Sequence, residues 1–123
     1  MTRSNLTFRR ATQADVHTMG GAALRGLRAW AAELDGRLMG VGGTFWGPAY
    51  LTGFMDLSPE LLKRPRWVVQ CVKHGMAEVR ARGLAVVVIA QPGTPTAPTL
   101  LRHFGFKHAG QTALGESYIL LQS

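Results

Sequence analysis

Apolar residues along the 123-residue chain switch between a period of two and a period near 3.6, and the switches mark alternating strands and helices. Leu6 and Phe8, followed by Arg9-Arg10, predict a short opening strand. Thr12 and Asp15 then form an acidic version of a helix capping box, after which Val16, Met19, Ala23, Leu24 and Leu27 recur at helical spacing. Gly20 and Gly21 weaken that helix. Trp30, Ala32 and Leu34 alternate up to Asp35-Gly36, a two-residue hairpin signal, and Leu38 to Phe45 return as the partner strand. Gly40, Gly42 and Gly43 inside that strand predict a bulge or a close backbone approach, or else a weak strand beneath something bulky.

Beyond Gly47-Pro48, Tyr50 to Leu57 reads as a fourth strand ending at Ser58-Pro59-Glu60. Trp67, Val68, Cys71, Val72, Met76 and Val79 fall on one face of a following helix, Pro65 suits its first turn, and Gly83 suits its C-terminal cap. Leu84 to Ala90 is an unbroken apolar run, the pattern of a strand buried on both faces and parallel to a neighbour. Three prolines and a glycine stiffen residues 91–98, a short helix follows around Thr99 to Phe104, and Phe106 to His108 and Ser117 to Leu121 supply two closing strands. The reading is a single α/β (α+β) domain over residues 1–123. Its order is β-α-β-β-β-α-β-α-β-β, with three helices on a mixed sheet of about six or seven strands.

Composition narrows the function classes. With 46% hydrophobic and 17% charged residues the chain has enough apolar surface for a core, which argues against disorder. No apolar run reaches the ~18 residues of a membrane span, and no apolar signal core follows the arginines of the N-terminal MTRSNLTFRR, so a cytoplasmic location and no membrane partner are expected. The single cysteine, Cys71, sits in the apolar helical pattern and reads as a buried small hydrophobe. His17, His74, His103 and His108 show no paired metal-ligand spacing, so no metal is expected. The formal net charge of +7 favours phosphates, acidic partners or nucleic acid without choosing among them, because the cations are spread from Arg3 to Lys107.

Four phrases, in this order, resemble one family. "FRRATQAD" is similar to the opening of the GNAT N-acetyltransferases, "AWAAELDGRLMGVGG" to their second and third strands, "MDLSPE" to the end of their fourth strand, and "LLRHFGFKHAG" to their C-terminal motif. The likeness spans essentially the whole chain and implies a GNAT-like fold, with acetyl-CoA as the cofactor and an amine as the acceptor if the protein is active. The chain is shorter than most members and has room for one helix, where two are usual, between its first two strands.

The resemblance also exposes departures. Members hold the cofactor pyrophosphate on a glycine-rich turn after the fourth strand, where side chains would intrude. Here that stretch reads Leu61-Leu62-Lys63-Arg64-Pro65-Arg66-Trp67, with no glycine and a proline that has no N–H to donate. Either Lys63, Arg64 and Arg66 replace the cradle with side-chain charge, or they are solvated cations around a helix start. The tyrosine that protonates the departing thiolate in many members corresponds to Leu101, which cannot donate a proton. The family pattern further places Asp56 as the candidate general base, the region of Leu57 as the backbone polarising the acetyl carbonyl, and Thr94 near the pantetheine amides. His103 reads either as a proton shuttle or as an exposed helix-end imidazolium.

Two functions follow from the resemblance. One is an acetyl-CoA-dependent N-acetyltransferase with an unusual phosphate site. The other, which loss of both the glycine loop and the tyrosine favours, is a GNAT fold with a degenerate acetyl-CoA site, reused as a binding or structural component. Short acetyltransferase-like proteins of tailed phages offer a precedent, implying virion assembly and a place in the host cytoplasm or the virion. A protein partner or self-association is then expected, with Trp30, Trp46 and Trp67 as either contact residues or core; nucleic-acid binding rests on charge alone.

Overall fold

A computed structural model of the chain describes residues 6–90 and 97–122. Strands β1 (Leu6–Arg10), β2 (Arg28–Leu34), β3 (Arg37–Trp46), β4 (Leu51–Leu57), β5 (Val86–Ala90), β6 (Lys107–Thr112) and β7 (Gly115–Leu120) form one sheet in the order β1-β2-β3-β4-β5-β7-β6. Helices α1 (Gln13–Thr18), α2 (Pro59–Leu62), α3 (Pro65–Arg82) and α4 (Ala97–His103) complete the described elements. Every neighbouring pair of strands is antiparallel except β4 and β5, which α2 and α3 connect in parallel.

The main differences between the sequence reading and the fold each have a physical cause. The first helix stops at Thr18 instead of running to Leu27, because Gly20 takes φ +92° and the N–H groups of Gly20 and Gly21 close on the carbonyls of His17 and Val16. A fourth helix, α2, is added because the Ser58 hydroxyl accepts the Leu61 N–H at 3.2 Å and Pro59 suits a first helical position. Strand β6 runs to Thr112, where the Thr112 hydroxyl ties the hairpin to β7 by donating to the Gly115 carbonyl at 2.8 Å. On β5, only Val86 and Ala90 are buried, so the expected burial on both faces is not met along the middle of the strand.

The turn at Asp35-Gly36 forms as expected, with both residues at positive φ. Both expectations for the β3 glycines are also met. The register on β2 slips at Met39, and the Trp30 ring lies against Gly42, where an added Cβ would stand 2.5 Å from it. On the α3 side of the sheet, Trp30, Ala32, Leu34, Met39, Leu61 and Cys71 form one buried cluster, and Leu51, Met76, Val79, Val86, Phe106 and Tyr118 form another. The opposite side is thinner, with Ala11, Ala29, Ala31 and Val41 beneath Met19, Leu27 and Phe54.

The capping box of α1 is doubly anchored. Asp15 accepts the Thr12 N–H at 2.7 Å and both Arg9 guanidinium nitrogens at 2.8 Å, and Arg9 reaches Glu33 at 3.1 Å. The Arg9 guanidinium holds the Asp15 carboxyl well below the usual carboxylate range against the opposing effect of burial. A depressed native pKa gives stability that is complete above the unfolded value of about 3.9 and is lost as pH falls below it. Asp15→Asn should therefore cost about 2 kcal/mol at neutral pH, and the gap from the parent should narrow below about pH 4 in urea unfolding series. Gly42→Ala should cost about 1–3 kcal/mol in the same assay, because the methyl group must displace Trp30 or the strand.

Candidate functional site

Strands β4 and β5 pair over three positions only, from Leu51↔Val86 to Gly53↔Val88. Past that point β4 stays with β3, in unbroken register from Gly43↔Phe54 to Gly40↔Leu57, while Ile89 and Ala90 of β5 stay with β7. The sheet therefore opens as a wedge at the C-terminal ends of its parallel pair. Backbone groups turned into the wedge have no ladder partner among the described residues, and such a crevice beyond parallel strand ends is where open sheets bind ligands.

Leu57 lies at the wedge and packs its side chain towards the Leu61 cluster. No bulge interrupts β4 on β3; the backbone in this region is freed by the parting of the strands. Asp56, one residue earlier, faces the other side of the sheet with Phe54, as strand alternation requires. It is half-buried, its carboxylate makes no hydrogen bond or ion pair among the described residues, and burial raises its pKa, the direction that suits a proton acceptor.

Between β4 and α3 four of the backbone donors are already committed. Leu61 N–H goes to the Ser58 hydroxyl, Leu62 N–H to the Ser58 carbonyl at 3.0 Å, Arg64 N–H to the Leu61 carbonyl at 3.0 Å, and Trp67 N–H to the Arg64 carbonyl at 3.0 Å. Pro65 has none to offer. The fully buried Leu61 pins this turn against Gly40. Lys63, Arg64 and Arg66 are exposed around it, with the Arg64 guanidinium 4.5 Å above the Trp67 ring, so one of the three cations is already stacked. Glu60 sits in the first turn of α2, 3.7 Å from Arg37 in an exposed pair of little energetic weight.

No protein-family model matches the sequence, and neither does any curated protein. Solved structures do match its shape. An N-acetyltransferase from Staphylococcus aureus Mu50 superposes with a TM-score of 0.70 at 18% identity, covering 96% of this chain and 99% of that one. A GNAT superfamily phosphinothricin acetyltransferase from Sinorhizobium meliloti, solved with acetyl-CoA, gives 0.69 at 17% identity over 96% and 89%. The ribosomal-protein-S18-alanine N-acetyltransferase of Escherichia coli gives 0.63 at 14% identity over 94% and 91%. The chain has the GNAT fold.

Within that GNAT frame, Leu101, the residue that the resemblance matches to the family tyrosine, lies half-buried on α4 against the Val86 and Tyr118 cluster. Thr94 lies outside the described residues. His103 is exposed in the last turn of α4, its ring edge-on to Phe104 at 5.2 Å. Tyr118 is core on β7, whereas Tyr50 lies exposed in the turn before β4 and not in the strand. Of the tryptophans, Trp30 is core, Trp67 is half-buried, and Trp46 is exposed.

The GNAT topology also brings together a pair that the sequence pattern did not flag. His108 Nε2 contacts the Glu116 carboxylate across the β6–β7 hairpin, and Glu116 pairs with Ala90, beside the wedge. The two residues are eight apart around a turn whose position was not read from the sequence, so the pair becomes visible only with the register.

Cys71 is fully buried in the α3-side core, and burial pushes its thiol up to about 12. It should therefore resist alkylation. At pH 8 the folded protein should react with iodoacetamide at least about a hundredfold more slowly than the urea-unfolded chain, read by intact mass.

Proposed function

We propose that this GNAT-fold protein is a binding or assembly component whose acetyl-CoA site does not support acyl transfer. The observation that carries this reading is α2. In a cofactor cradle the turn after the fourth strand must present free N–H groups to the diphosphate, and here those of Leu61, Leu62, Arg64 and Trp67 serve helix and turn bonds. Pro65 removes another donor, and Leu101 supplies no proton for a departing thiolate. A virion or host-cytoplasmic setting accords with this role.

The wedge itself favours a second reading, an acetyl-CoA-dependent N-acetyltransferase. Its unpaired backbone would offer partners to the amides of a pantetheine arm, Lys63, Arg64 and Arg66 would hold the diphosphate, and Asp56 would take the proton from an amine acceptor. Acetyl-CoA supplies the activated acetyl group in that chemistry.

Isothermal titration with acetyl-CoA at low salt, then at moderate salt, separates the two. The expected result is no saturable heat. Micromolar binding that disappears in the Lys63→Ala, Arg64→Ala double variant would overturn the first reading and establish a side-chain phosphate site.

A further inference from the structure

The end of the molecule opposite the wedge collects cations and aromatic rings that are far apart in sequence. There β1 ends at Arg10, β2 begins at Arg28, β3 ends at Trp46, and α3 ends at Arg82. Their contacts tie them into one surface. Arg82 donates from Nε to the Thr44 hydroxyl at 3.1 Å and from Nη2 to the Gly26 carbonyl at 2.9 Å. Thr44 is the register partner of Arg28, and the Trp46 N–H donates to the Arg25 carbonyl at 2.8 Å. The Trp46 ring rests on Gly26, where a Cβ would come within 2.6 Å of its Cδ1. Trp46 nevertheless remains 41% exposed, and Tyr50, in the adjoining turn, is 45% exposed.

Carboxylates are distributed the other way. Glu33, Asp35, Asp56, Glu60 and Glu116 lie towards the wedge end of their strands or in the turns there, and Asp15 is held by Arg9 and Thr12. Glu78 lies a turn before Arg82, in a crevice with His74 and Arg10. Arg25 and Arg28 are exposed, with no ion pair among the described residues.

We propose that this surface binds single-stranded nucleic acid, with Trp46 and Tyr50 stacking on unpaired bases and Arg25 and Arg28 facing the phosphates. Open aromatic faces beside guanidinium groups match both chemical parts of a single strand. A duplex hides its base faces, and a peptide whose side chains are carboxylates alone gives the rings nothing to stack on. The assignment goes beyond the reading of the wedge and does not depend on it, since the two sites occupy opposite ends of the sheet.

Fluorescence anisotropy of a labelled oligothymidylate of about 20 nucleotides, long enough to span a site of this kind, tests it. Binding should be strong at low salt and weaken steeply as salt rises. The Arg25→Ala, Arg28→Ala double variant should lower the log–log salt slope by about two. Trp46→Ala should weaken binding about tenfold at a given salt, with Trp46→Phe restoring most of it. Tyr50→Ala, at an exposed turn, should also weaken binding and serves as the second probe if Trp46→Ala melts early. The proposal is overturned if the single strand is not bound at low salt, or if both ring variants bind like the parent. Tighter binding of a duplex or of a polyglutamate peptide would overturn it too, as would an equal loss in the Lys63→Ala, Arg64→Ala variant.

Discussion

The seating of α3 on the sheet is the constraint on which the remaining structure depends, and Trp30 sets it. The indole lies between two glycines, Gly42 on β3 and Gly75 on α3, with an ideal Cβ at Gly75 falling 3.5 Å from its Nε1. A side chain on the sheet glycine would lift the ring and with it the helix. The ring nitrogen is buried with no hydrogen-bond partner among the described residues, and an unpaired buried donor costs about 1–3 kcal/mol. Burial of the large ring against Phe8, 5.6 Å away and edge-on, offsets that cost. With its middle fixed there, α3 begins at the wedge and ends over Thr44, so one helix positions both ends of the molecule.

The wedge follows from the neighbours of β4 and β5. Leu57 continues into a turn whose Leu61 is buried against Gly40, which keeps the end of β4 on β3. Ile89 and Ala90 instead keep their antiparallel partners Ser117 and Glu116 on β7. A parallel ladder of three pairs cannot hold two strands together against those separate attachments, and the strands part at Gly53 and Val88.

Much of this was legible in local sequence. Asp35-Gly36, the Thr12 and Asp15 capping box, the apolar face of α3 and its Gly83 cap each rest on residues a few positions apart, and all form. Features that depend on distant partners were not legible. The stop of α1 was signalled only weakly by Gly20-Gly21, α2 depends on where Leu61 finds a buried site, and the bulge at Met39 depends on the register with β2. At the candidate site, the loss of the glycine turn could be read directly, whereas the commitment of its N–H groups to α2 could not. The half-buried setting that raises the pKa of Asp56 is likewise a property of the assembled sheet.

Net charge shows the same division between composition and fold. The formal +7 counts all cations equally, yet Lys63, Arg64 and Arg66 share the wedge end with Asp56, Glu60, Asp35 and Glu116. Exposed charges act on one another over a Debye length of about 8 Å at physiological salt, so carboxylates at that end oppose the field that a diphosphate would meet there. Among the described residues the Trp46 end has only Glu78 nearby, and its guanidinium groups stand beside partly exposed rings. That placement is what favours the Trp46 end over the wedge for the proposed single strand. For the proposed surface, the placement of charges that the β2, β3 and α3 ends create together is therefore a stronger argument than a basic loop sequence near a cofactor position.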